Sequence, residues 1–152
     1  RALSLRTVGY WDRLNSYGFP PDEVFAAPVV YDDDSDLGGY HAMQKLLKGD
    51  KAPSALFLPS DNMVSGVVRC IHKKGLNIPG DIEIISYGNK DINWIVTPSI
   101  SSFATPVKEI SYNCARILHE HIENGILMDN VKLSFEGECI FRESCPEEEI
   151  SR

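Results

Sequence analysis

The sequence has no apolar run near the roughly 18 residues needed to cross a bilayer, so a spanning helix is not expected. Its amino end, residues 1–6, lacks the long apolar core of a secretory signal. Basic residues are few, 15 against 22 acidic ones for a net charge of −7. Phosphate contacts need clustered Lys and Arg, which argues against nucleic-acid binding by this segment itself. The four cysteines, Cys70, Cys114, Cys139 and Cys145, contain no CxxC pair and read as reduced thiols of a cytoplasmic protein.

Catalytic motifs are missing too. There is no GxSxG elbow, Walker glycine loop, HExxH or GxGxxG, so nucleophilic, phosphoryl-transfer and dinucleotide chemistry lose their usual support. His119 and His121 are two apart and point in nearly opposite directions on a helix, while His41 and His72 stand alone. The acidic run 32–36 does not fit an EF-hand loop, which would need Gly where Leu37 stands and Glu where Met43 stands. No metal, no cofactor and no catalysis are expected. An enzyme using Asp34, Asp61 and Cys145 as nucleophile and base is the weakest of the alternatives.

What is present is a chain of 152 residues, 43% hydrophobic and 24% charged, enough for one domain with a real core. Leu5, Val8, Tyr10, Trp11 and Leu14 predict a helix over 3–17, ended by Gly18 and Pro20-Pro21. A strand is expected over Ala27 to Tyr31. The spacing of Leu37, Tyr40, Met43, Leu46 and Leu47 predicts the next helix. A strand at Ala55 to Leu58 then runs into a helix carrying Met63, Val64, Val67, Val68 and Ile71, with Asp61 available as N-cap. A third strand follows at Ile82 to Ser86.

Beyond it the pattern is less regular. Asn93 to Thr97 reads as a loop or short turn, and Ser99 to Phe103 as a strand. Val107, Ile110, Cys114, Ile117 and Leu118 mark one face of a helix opened by Thr105-Pro106. Val131, Leu133 and Phe135 alternate as a half-exposed strand before an acidic tail at 146–152.

Three strand–helix alternations predict an α/β fold, a parallel sheet with helices on both faces. In such sheets ligands bind outside the carboxyl ends of the strands, where loops are not filled by packing and helix ends present unpaired N–H groups. The loops 32–36, 59–62 and 87–91 should therefore converge on one edge of the sheet, each offering short polar groups to a small molecule. Of Ser60 and Asp61, one is free to cap while the other faces the cleft.

The ordered series Arg6-x-x-Gly9-Tyr10, Gly39-Tyr40 with Met43 and Leu46-Leu47, Pro53-x-Ala55 with Ser60-Asp61-Asn62-Met63, Gly75-Leu76-x-Ile78-Pro79-x-Asp81-Ile82, Ile85-Ser86-Tyr87, Thr97-Pro98 and Phe141-Arg142-Glu143-Ser144 covers nearly the whole chain. It resembles the effector-binding region of LacI/GalR-type bacterial transcription regulators. The resemblance implies a fold like type I periplasmic binding proteins, two α/β lobes holding a sugar, nucleobase or related effector between them. It further implies a homodimer, contact with DNA only through a helix-turn-helix headpiece absent from this chain, and no membrane partner. On this comparison 1–97 and 136–145 belong to the C-terminal lobe, and 98–135 form the crossover and part of the N-terminal lobe. A solute-binding protein of a transport system shares the fold and is the runner-up.

The resemblance also implies roles for residues. Arg6 matches the arginine that typically hydrogen-bonds the effector. Ser60 stands where the family usually has asparagine, while Asp61 keeps the family's residue. Gly88 and Asn89 stand where acidic residues usually grip sugar hydroxyls. Asp34 lies where some members place a stacking aromatic, which favours a more polar or cationic ligand. Trp94 supplies either a substitute aromatic surface or a residue packed on the hinge.

Overall fold

The computed structural model describes residues 2–19, 33–49, 52–124 and 132–146. The expected strand at 27–31 lies outside the described residues. Strands β1 (Ala55–Leu58), β2 (Glu83–Gly88) and β3 (Ser101–Ala104) are parallel neighbours, with Leu58 opposite Ser86 and Ser86 opposite Ser102. A fourth strand, β4 (Glu138–Ile140), joins β3 in the antiparallel sense, which makes the sheet mixed.

The two faces of the sheet differ. Leu58 and Ile84 pack into a core with Met43 of helix α2 (Asp36–Leu46) and with Val64, Val67, Val68 and Ile71 of helix α3 (Val64–Lys73). Burying each such side chain is worth about 1.5–3 kcal/mol. Alternation along the strands turns Phe57 and Tyr87 to the other face, where helix α1 (Ala2–Ser16) lies. There the Tyr10 ring stacks on Phe57 at 5.5 Å between centroids. The expected α1 face is therefore rotated: Leu5 and Val8 are exposed, and the helix instead covers the sheet with Arg6 and Tyr10 at i and i+4.

Helices α2 and α3 cross with their backbones nearly touching. A methyl group on Gly66 would fall on the carbonyl oxygen of Asp36, and one on Gly39 on that of Met63. The short helix α4 (Ile92–Ile95) occupies the stretch read as a loop or turn, and helix α5 (Val107–Asn124) follows β3. Along α5, Ile110 and Ile117 are half-buried while Val107, Tyr112, Leu118 and Ile122 are exposed. Of the strand expected at 131–135, the described residues 132–135 carry none, and pairing begins at Glu138. Among the described residues no strand neighbours Leu133 and Phe135, and β3 pairs instead with 138–140.

The 141–145 segment is sewn to the sheet by hydroxyls. Ser144 Oγ donates to the Ile84 carbonyl at 2.6 Å and accepts from the Ser101 amide at 2.9 Å. Ser101 Oγ accepts from the Arg142 amide at 2.8 Å. The Glu143 carboxylate accepts from both the amide and the hydroxyl of Ser99, at 2.7 and 2.8 Å, and these bonds hold its pKa below the ordinary 4.5. A depressed carboxylate contributes stability that is present above its unfolded pKa and lost as pH falls through the folded value. Acid titration followed by circular dichroism should therefore show Glu143→Gln with a shallower loss of stability below pH 4.5 than the parent, and superimposable acid limbs would refute this clasp.

Candidate functional site

Leu58 ends β1 inside the core, and the chain turns at Pro59 to Met63 into a single 3-10 turn (Asp61–Met63) leading into α3. Ser60, not Asp61, is the N-cap: its backbone is extended and its hydroxyl accepts from the Asn62 amide at 3.3 Å. Asp61 is 1% exposed. Its carboxylate accepts from the Lys90 amide at 2.7 Å and, more weakly, from the Ser102 hydroxyl at 3.4 Å. The shorter hydroxyl side chain at 60 reaches back to the turn, which leaves the carboxylate at 61 to satisfy the loop after β2.

That loop has unusual backbone. Gly88 has φ of +137° and Asn89 of +62°, the latter left-handed. A Cβ on Gly88 would come within 2.6 Å of Asp61 Oδ2, so the absence of a side chain there is what lets the buried carboxylate approach. The Asn89 amide donates to Ser102 Oγ at 3.1 Å.

The third loop enters from before α2. Ser35 caps α2 by accepting from the Gly38 amide at 3.1 Å and also donates to Asp33. Asp34 Oδ2 accepts from the Asn62 amide group at 3.2 Å, and Asn62 Oδ1 in turn accepts from Lys90 Nζ at 2.7 Å. The three loops do converge, through the chain Asp34–Asn62–Lys90. Asp34 Oδ1 is buried with no hydrogen-bond partner. An open groove of about 520 Å³ is lined by Asp61, Asn62, Lys90, Asp91 and Ile92. It mixes an ammonium, carboxylates and an amide over one apolar wall, a composition suited to a small molecule bearing several hydroxyl or amine groups.

Arg6 reaches the same edge from α1. Its Nη1 donates to the Pro59 carbonyl at 2.7 Å and its guanidinium lies 3.9 Å over the Tyr87 ring, which itself stacks on Phe103. Trp94 sits apart from the groove lining. It is 63% exposed, and its ring carries the Arg142 guanidinium at 4.0 Å. Sequence reasoning missed Asn62 and Lys90 as groove residues, although both flank positions it singled out. Of the residues weighed for catalysis, Cys145 lies at the start of β2, where its Sγ contacts Glu83, at the opposite end of that strand from Asp61.

The Periplasmic binding protein-like domain family matches residues 5–145. Catabolite control protein A of Priestia megaterium is 31% identical over 91% of this chain and 41% of its own length. The transcriptional repressor CytR of Escherichia coli is 28% identical over 87% of this chain and 39% of its own. Among solved structures, a LacI family regulator of Enterococcus faecium with bound ribose superposes with a TM-score of 0.82 at 24% identity, over 95% of this chain and 52% of that one. The regulator CelR in complex with cellobiose gives 0.80 at 26% identity, over 91% and 41%. The chain thus spans less than half the length of the curated relatives it matches. No helix among the described residues is long and apolar enough to cross a membrane. A family match over nearly the whole chain, joined to the likeness to LacI-type regulators, means that this chain belongs to the periplasmic-binding-protein-like family, as the effector-binding domain of the LacI-type regulators.

Proposed function

We propose that the chain is the ligand-sensing and dimerisation part of a cytoplasmic bacterial transcription regulator. A small polar effector, sugar-like or a related amine, binds at the groove lined by Asp61, Asn62, Lys90, Asp91 and Ile92, with Asp34 and Arg6 on the same edge of the sheet, and shifts a population between states that differ in operator binding by a helix-turn-helix outside this chain. The observation that carries this reading is the convergence of three loops from three separate elements through Asp34, Asn62 and Lys90. The ribose and cellobiose of the two solved regulators support a carbohydrate-like class. The exposed apolar residues of α5 would pack against the rest of a two-lobed protein, and exposed Trp94 and Ile95 are the kind of large side chains that a subunit contact covers.

Titration calorimetry of the intact regulator with ribose, cellobiose and amino sugars tests the reading, together with sedimentation to read the dimer. Arg6→Ala should weaken the tightest of these ligands by several-fold, about 1–2 kcal/mol for a charge-assisted hydrogen bond. Unchanged affinity would remove Arg6 and its edge of the sheet from the site.

A further inference from the structure

Among the described residues Arg142, at 9% exposure, and Asp61 are the buried ionic side chains, and Arg142 lies in neither the groove lining nor the apolar core. A buried guanidinium needs partners for its donors and its face, and here the two terminal nitrogens and the plane are met while Nε is buried without a hydrogen-bond partner. Its Nη1 donates to the Ile100 carbonyl at 2.6 Å, its Nη2 donates to Asn89 Oδ1, and its plane lies on Trp94. The backbone amide of the same residue is held by Ser101 Oγ. This one residue thus ties the start of β3, α4 and the loop after β2 together.

Its contact with Asn89 has the largest consequence. Left-handed backbone costs a non-glycine residue about 1–2 kcal/mol, and Asn is among the few that tolerate it. Asn89 is gripped from two sides, by Arg142 at its side chain and by Ser102 at its amide. The next residue is Lys90, whose amide meets Asp61 and whose ammonium meets Asn62. We infer that Arg142 is a positioning residue for the groove: through Asn89 it holds the left-handed turn that delivers Lys90 to Asp61 and Asn62. The inference rests on the effector reading only for what the groove binds. Its test therefore uses no ligand.

Amide hydrogen exchange by NMR on the full chain, with global stability measured in parallel by urea, reads the turn directly. In Arg142→Met the Lys90 and Asn89 amides should lose protection by at least about tenfold more than the amides of β1 and α3, a sub-global opening confined to one loop. Asn89→Gly adopts the turn without help, so in that background Arg142→Met should change Lys90 protection by less than about threefold beyond the global effect. Asn89→Ala, which removes the acceptor and disfavours the turn while leaving Arg142 in place, should reproduce the Lys90 loss and serves if Arg142→Met does not fold. Protection that falls equally at Lys90, β1 and α3, or an Asn89→Gly background that rescues nothing, would overturn the inference. A failure of ribose and cellobiose to bind would leave these amides as they are and count only against the effector reading.

Discussion

Among the described glycines, Gly66→Ala is expected to be the most damaging addition of a methyl group. Overpacking usually costs about 1–3 kcal/mol because flexible side chains give way. Here the added carbon meets a backbone carbonyl, that of Asp36 in the first turn of α2, and no rotamer change relieves it. The helices must separate, and with them Met43 leaves its contacts with the α3 face. We expect a loss of about 3 kcal/mol or more by urea unfolding, at the upper end of what single substitutions do. Gly9→Ala is the internal control. It adds the same methyl to α1 with nothing within 4 Å and should be neutral or stabilise by about 0.5–1 kcal/mol, the helix propensity difference. A Gly66→Ala protein as stable as the parent would show that α2 and α3 are not in backbone contact.

Gly88→Asp is the second large effect, and it bears on the ligand. The substitution restores the acidic residue that the family resemblance leads one to expect, so a simple reading would have it improve sugar recognition. The geometry argues the opposite. At φ of +137° a side chain is strained by about 1–3 kcal/mol, its Cβ would press on Asp61 Oδ2, and a second carboxylate would be set against a buried one. Loss of about 3 kcal/mol or more is expected, with no gain in calorimetric affinity for ribose or cellobiose. Adding Asp61→Ala to Gly88→Asp should cost less than the sum of the two single changes, since one clash is then absent. Strict additivity would mean that the two positions do not compete for the same space.

Most of the layer order was legible because it depends on periodicity. The run Leu56-Phe57-Leu58 and the spacing of Val64, Val67, Val68 and Ile71 announce a buried strand and the helix that covers it, and both are found within a residue or two of the expected bounds. What periodicity cannot see is which of two adjacent polar residues caps a helix. Ser60 and Asp61 were interchangeable until the Lys90 amide, 29 positions along the chain, claimed the carboxylate. The face of α1 is met only in part for a related reason: Tyr10 of the expected face stacks on Phe57, but Arg6 takes the place of Leu5 and Val8 by lying on the Tyr87 ring, which is remote in sequence. β4 escaped because three residues pairing antiparallel to one edge leave too short a pattern. Arg142 belonged to a recognised motif, but its partners Asn89, Ile100 and Trp94 are more than 40 positions away, and only folding brings them together.

The chain Asp34–Asn62–Lys90 also sets the terms on which anything can enter the groove. With these bonds made, Asn62 already plays the part of a guest, giving its amide hydrogens to a carboxylate and its oxygen to an ammonium. A molecule that draws on the atoms Asn62 uses must exchange for those bonds, whereas one that reaches Asp34 Oδ1 finds an oxygen with no bond to give up. Molecules that match both ends of the asparagine amide release the side chain as they bind. On the proposed effector reading, selectivity would then come in part from an internal competitor whose strength is built into the sequence.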